Sequence, residues 1–134
     1  MAELTLDVAR KILDVALAKG VEKKLKPLVV TVLDARGCIK ASAAQDGTSL
    51  LRSEIAHGKA YGALAMGMGS RALFQRAQEQ AYFIGAVNTL AQGRMVPVPG
   101  KGLTVSIAQL GKFGKQIGQR RFGDFRPNAG RRIP

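Results

Sequence analysis

Tryptophan is absent from the 134-residue chain, and aromatic residues make up only 5% of it. A core must therefore be assembled from Val, Leu, Ile, Ala and Met. The single cysteine, Cys38, rules out an internal disulfide. It fits a reducing compartment, so a cytoplasmic protein is expected. No run of about 18 apolar residues occurs, and no membrane span is expected. The opening MAELTLDVARK carries acids and no apolar h-region, which is not a signal-peptide pattern. Histidine is as scarce as cysteine, His57 being the only one. A metal site would need carboxylates brought in by the fold, since no standard ligand spacing exists.

Acids are scarce in one place. Residues 1–99 hold 13 Lys/Arg against 8 Asp/Glu, whereas residues 100–134 hold 8 against 1. More than half of the net charge of +12 therefore sits in the last quarter of the chain. The tail interleaves cations with Phe, as in KFGK and RRFGDFR, a chemistry suited to phosphates and stacked bases. The alternative is a solvated terminus with incidental charge.

What is present reads as one domain with mixed elements. Thr5 is a candidate N-cap, with Asp7 in the first turn. Ala9, Ile12, Leu13, Ala16 and Gly20 then follow one helical face. The helix is expected to end at Gly20 or at the Lys23-Lys24 pair. Pro27 forbids helix, and LVVTVL (28–33) reads as a central strand with both faces apolar. Asp34-Ala35-Arg36-Gly37 is a tight turn. CIKASA (38–43) follows, with Ile39, Ala41 and Ala43 alternating against Lys40 and Ser42, so the pair reads as a hairpin.

Thr48 or Ser49 is a candidate cap for a second helix, with Leu51, Ile55 and Leu64 as core candidates. GMGS breaks it, and Ser70 is a candidate cap for a third helix, RALFQRAQEQA. YFIGAVNTLAQG reads as loop and short helix before a turn at Gln92-Gly93. RMVPVPG runs extended. A two-stranded hairpin is marginal alone, and GLTVSIAQL is the one good candidate for a further strand.

Enzyme signatures are few. No serine lies in a nucleophile-elbow glycine pattern. GKAYGALAMGMG follows no strand and lacks a GKS or GKT, so it is not a phosphate loop. Its small residues suit close packing of a helix. His57 reads first as a half-buried structural residue and second as a haem or metal ligand. Cys38 reads first as a small strand residue and second as a thiol activated by Arg36 and Lys40. Met66 and Met68 read as gap-filling core, not as thioether ligands.

Four stretches carry a family likeness in their order and spacing: LTLDVARKILDVALAKG, PLVVTVLDARGCIKASAAQDG, SEIAHGKAYGALAMGMGSRAL and GRMVPVPG. Over residues 4–100 the chain resembles the bacterial GlcG/HbpS-like haem-binding family, a domain found also at the C-terminus of PduO-type proteins. The resemblance implies an α/β (α+β) fold: a profilin-like antiparallel sheet flanked by helices and assembled into homo-oligomers. It implies a non-enzymatic accessory protein, with haem or another tetrapyrrole or small molecule as ligand. It places the ligand near Lys59, Arg94, Pro97, Pro99 and Gly100, with His57 as a weak metal-binding candidate. Lys59 and Arg94 would pair with carboxylates such as haem propionates. The bland alternative for Lys59 is a packed stem and a salt bridge. An activity on small hydroxy acids is a weaker expectation, resting on association alone.

The likeness stops at Lys101. The family continues with two strands around a G-x-x-G-x-x-G-x-S-G-like stretch, which this chain lacks. Read one nucleotide out of register, the codons for the stretch beginning QRRFGDFR permit GVSGTSD followed shortly by DDE. The expectation is a domain over 1–111 with an incomplete C-terminal part, and a basic Gly/Arg-rich tail over 112–134 that is disordered or frameshifted. Its charge is then weak evidence for a nucleic-acid partner, and nucleic-acid binding through the tail is the alternative function.

Overall fold

A computed structural model describes residues 4–98, together with the backbone of residues 104–108. Pro99, Gly100 and the tail over 112–134 lie outside the described residues. In chain order the elements are α1 (Leu6–Glu22), β1 (Val29–Leu33), β2 (Ile39–Ala44), α2 (Arg52–Met66), α3 (Ser70–Glu79), α4 (Ala81–Leu90) and β3 (Thr104–Ala108). The architecture is mixed α/β, as expected. Among the described residues no helix is long and apolar enough to cross a membrane.

Helix α1 starts where the cap predicts. The Thr5 hydroxyl accepts the Val8 N–H at 3.2 Å. The expected face is the buried one: Ala9, Ala16 and Gly20 are buried and Ile12 and Leu13 half-buried. The helix runs through Gly20 and ends at the lysine pair, with Lys23 as C-cap and Lys24 at φ 53°. A methyl on Gly20 would run into the Leu28 side chain. Its absence permits α1 to lie close to the entry of β1.

All five residues of β1 are buried, as a central strand requires. Val32 packs with Leu4 and Ala9, and Val8, Ile12 and Ala41 close around them. On the same strand Thr31 satisfies its buried hydroxyl against Ser42 Oγ at 2.8 Å. β1 and β2 form the expected antiparallel hairpin, and β1 lies in the middle of the order β2-β1-β3.

One detail of the hairpin departs from simple alternation. The register steps from Val32↔Ala41 to Leu33↔Ile39, leaving Lys40 as an extra residue in a bulge. Ala41 and Ala43 stay half-buried, but Ile39 leaves their face and is 57% exposed. The third strand is the TVSIA segment of the expected candidate, and it pairs with β1 in parallel. A parallel partner requires a crossover, which α2, α3 and α4 supply.

The second helix is packed by its smallest residues. Ala56, Gly58, Lys59, Ala60 and Gly62 are its buried positions. The expected core residue Leu51 instead precedes the helix as its N-cap and is exposed, while Ile55 and Leu64 are half-buried. Thr48 and Ser49 do not cap the helix by side chain; the Ser49 carbonyl accepts the Arg52 N–H in a turn instead. Ser70 likewise is the first residue of α3, with Gly69 as its N-cap. YFIGAVNTL is wholly helical rather than loop, and with Ala81 it forms α4. The Arg76 guanidinium joins α3 to α4, hydrogen-bonding Gln80 and stacking 4.8 Å from the Phe83 ring centre.

Candidate functional site

The β1–β2 turn is built around Asp34. Its carboxylate accepts the backbone N–H of Arg36 at 2.8 Å and of Cys38 at 3.1 Å, and the Arg36 guanidinium at 3.0 Å. The Arg36 side-chain hydrogen bond is the main cause that holds the Asp34 carboxyl below its ordinary range; desolvation opposes it, and the Arg36 and Cys38 backbone N–H groups reinforce it. Gly37 takes φ 81°, where a side chain is disfavoured. Cys38 follows it as an exposed residue just before β2.

This turn lies against α2. The Gly37 carbonyl is 3.4 Å from His57 Nε2, a long contact that holds the imidazole weakly. One turn further along the helix, the Tyr61 ring centre is 5.9 Å from that of His57. A methyl on Gly37 would sit 3.1 Å from the same Tyr61 ring. Glycine therefore serves both the turn and the approach of the phenol.

The segment after α4 closes on the other side. Gln92 and Gly93 turn the chain with φ 58° and 75°, where the turn was expected. Asn88 Oδ1 accepts the Met95 N–H at 3.0 Å, and the Gly58 carbonyl accepts the Val96 N–H at 3.1 Å. The second bond is possible because Gly58 has no side chain: a methyl would collide with Val96 and with the Arg94 carbonyl. Gly62 does the same for Leu73 and Met95. The expected close-packing role of the small residues in GKAYGALAMGMG is thus visible at two positions.

Seated this way, the exposed Arg94 places its guanidinium 4.6 Å from the Tyr61 ring centre, in cation–π range. Its Nε–H also donates to the Ala91 carbonyl at 2.8 Å, which fixes the stem. Pro97 is half-buried inside a tight turn in which the Val98 N–H donates to the Val96 carbonyl at 2.9 Å. Arg94, Tyr61, His57 and the Gly37 carbonyl therefore form one row.

Lys59 belongs to a different part of α2. It is 6% exposed, and burial is the main cause that lowers its pKa from the ordinary 10.5; the positive charge of Arg52 adds to it. Arg52, about two turns earlier, is therefore one of its electrostatic neighbours. Tyr61 was not among the residues singled out from sequence. Its spacing of four from His57 on a helix was the available signal.

Among the described residues no group of three or more His, Cys, Asp or Glu side chains could hold a bare metal ion. Haem asks less, because the macrocycle brings its own four nitrogens and needs an axial donor plus cations for its carboxylates. A weakly held imidazole and a fixed guanidinium, each against the Tyr61 ring, fit that donor chemistry. Two surface depressions lie elsewhere. One, of about 360 Å³, is lined by Gly85, Asn88, Thr89, Gln92 and Gly93. The other, of about 170 Å³, is lined by Lys26, Pro27, Gly47, Thr48, Ser49 and Arg52.

Comparison with curated proteins and with solved structures returns no match. A family model does match, over residues 4–115, and its description is "Haem degrading protein HbpS-like". The match spans most of the 134 residues and includes every residue of the row on α2. The chain belongs to the HbpS-like family.

Proposed function

We propose that this chain is a non-enzymatic accessory protein that binds haem or a related tetrapyrrole and works as a homo-oligomer. The observation that carries the reading is the row of His57, Tyr61 and Arg94 beside the β1–β2 turn, in a chain of a haem-related family. His57 would supply the axial nitrogen and Arg94 a cation for a propionate. Tyr61 offers a ring face between them. Pro97 would edge the same site. Lys59 is a second candidate cation, since a desolvated ammonium pairs strongly with a carboxylate.

Assembly is supported by α4. Its residues Ala81, Tyr82, Gly85, Ala86, Thr89 and Leu90 are exposed on one face, and the helix carries no charge. In a chain of net charge +12, a neutral apolar face is where a second copy can approach with least repulsion. One cysteine favours a reducing, cytoplasmic setting.

The test is a haem titration of the full chain, read at the Soret band. A saturable shift at micromolar haem, diminished in His57→Phe, supports the reading. No saturable shift overturns the ligand. The bound form is then held with a reductant in air. A stable Soret band supports a binding protein, whereas steady bleaching overturns the non-enzymatic part.

A further inference from the structure

The smaller depression is made by three segments that the fold clamps together. Pro27 and Lys26 come from the approach to β1, Gly47 to Ser49 from the turn after β2, and Arg52 opens α2. Two hydrogen bonds tie the first two segments at their base. The Leu28 N–H donates to Gln45 Oε1 at 2.7 Å, and the Gln45 N–H to the Leu28 carbonyl at 2.9 Å. Gly47, at φ 85°, lies against Pro27. The turn then joins α2 through the Arg52 N–H and the Ser49 carbonyl.

Its lining is of one chemical kind. Lys26 and Arg52 are cations, and Thr48 and Ser49 offer hydroxyls. Among the described residues, none of these four side chains makes an ion pair or a hydrogen bond. The nearby acids Asp46 and Glu54 form no ion pair with Lys26 or Arg52. The electropositive end of α2 opens on the same place and adds to the field. The positive potential is felt beyond the cleft, because Arg52 disfavours the charged form of Lys59. A cleft of about 170 Å³ is several times the ~30 Å³ share of one liquid water. It is large enough for a tetrahedral oxyanion and too small for a tetrapyrrole.

We infer that the cleft between Lys26-Pro27, Gly47–Ser49 and Arg52 binds a tetrahedral oxyanion, as inorganic phosphate or as the phosphoryl group of a small ester. Lys26 and Arg52 neutralise its charge, and the Thr48 and Ser49 hydroxyls donate to its oxygens. The site is separate from the His57 row and does not depend on it.

The experiment is a titration of the isotope-labelled full chain with inorganic phosphate, against chloride at equal ionic strength, followed by amide resonances. Saturable shifts centred on residues 47–53 are expected with phosphate and not with chloride. Glycerol phosphate in a second titration tells whether an ester is taken as well. Arg52→Gln and Lys26→Gln should each weaken phosphate about tenfold, as loss of one charge-assisted contact does. Both side chains lie at the surface of the cleft, so circular dichroism should report an unchanged fold. Equal shifts with chloride, unchanged affinity in both variants, or shifts seen only with a single-stranded oligonucleotide would each overturn the proposal.

Discussion

The Arg94 guanidinium lies over the face of Tyr61, 4.6 Å from the ring centre, and His57 is a further neighbour of that ring. The cation is thus carried by the segment after α4 and oriented by a ring on α2. Replacing Arg94 by Gln removes both the cation–π contact and the charge available to a propionate. We expect haem affinity to fall by about tenfold, with little change in stability because the contact is exposed. Tyr61→Leu should lower affinity less, since it loosens Arg94 without removing it. Soret titrations of the two variants check the order; Tyr61→Leu weaker than Arg94→Gln would contradict it.

Gly58 sets how closely the Arg94–Val98 segment lies on α2. A methyl there meets Val96 and approaches the Arg94 carbonyl to 2.9 Å, and that carbonyl is backbone and yields poorly. Alanine is the better helix former by up to about 1 kcal/mol, but overpacking costs about 1–3 kcal/mol. Gly58→Ala should therefore destabilise the chain by about 1 kcal/mol or more and break the Val96–Gly58 hydrogen bond. Urea denaturation measures the first effect, and hydrogen exchange at the Val96 amide measures the second.

Much of this frame was legible because the local signals were strong and agreed. Thr5, the spacing of Ala9 to Gly20, the all-apolar LVVTVL and the Asp34–Gly37 turn each favour one local structure, and the fold keeps them. The bulge at Lys40 was not legible, since an extra residue leaves the alternation of CIKASA intact on paper and shifts only the pairing. The full length of α4 is not legible either, because an apolar, uncharged ten-residue stretch has no helical period to distinguish it. At the site, Arg94 and His57 were visible as chemistry. Their meeting through Tyr61 depends on long-range packing that glycines 37 and 58 permit, which no local pattern encodes.

The exposed face of α4 bears directly on assembly. Leu90 is 84% exposed and Tyr82 78%, on the same side of the helix. If a second copy covers this face, a lysine at position 90 places a charge inside an apolar contact and opposes it with its own symmetry mate. Leu90→Lys should shift the chain to monomer in sedimentation equilibrium, with an unchanged helical circular dichroism signal. A wild-type chain that is monomeric at high concentration, or a variant that assembles as before, counts against α4 as the interface.

Lys59 couples stability to pH in a direction that follows from its burial. Desolvation first, and Arg52 second, lower its pKa in the folded chain below the ordinary 10.5. Between the folded and unfolded values the unfolded chain binds the extra proton, so stability rises with pH through that interval. Below the lowered value both states are charged and the folded one bears the full cost. Above 10.5 both are neutral and the cost is gone. Lys59→Met replaces the ammonium by an apolar chain of similar length. It should remove this rise, so that the difference in urea midpoint between variant and wild type narrows as pH approaches 10.5 from below. Arg52→Gln should have a smaller effect of the same sign, because it removes only the second cause. Taking differences against wild type cancels the other lysines and the tyrosines that titrate in the same range. A difference that stays constant with pH would show that burial of Lys59 carries no such cost.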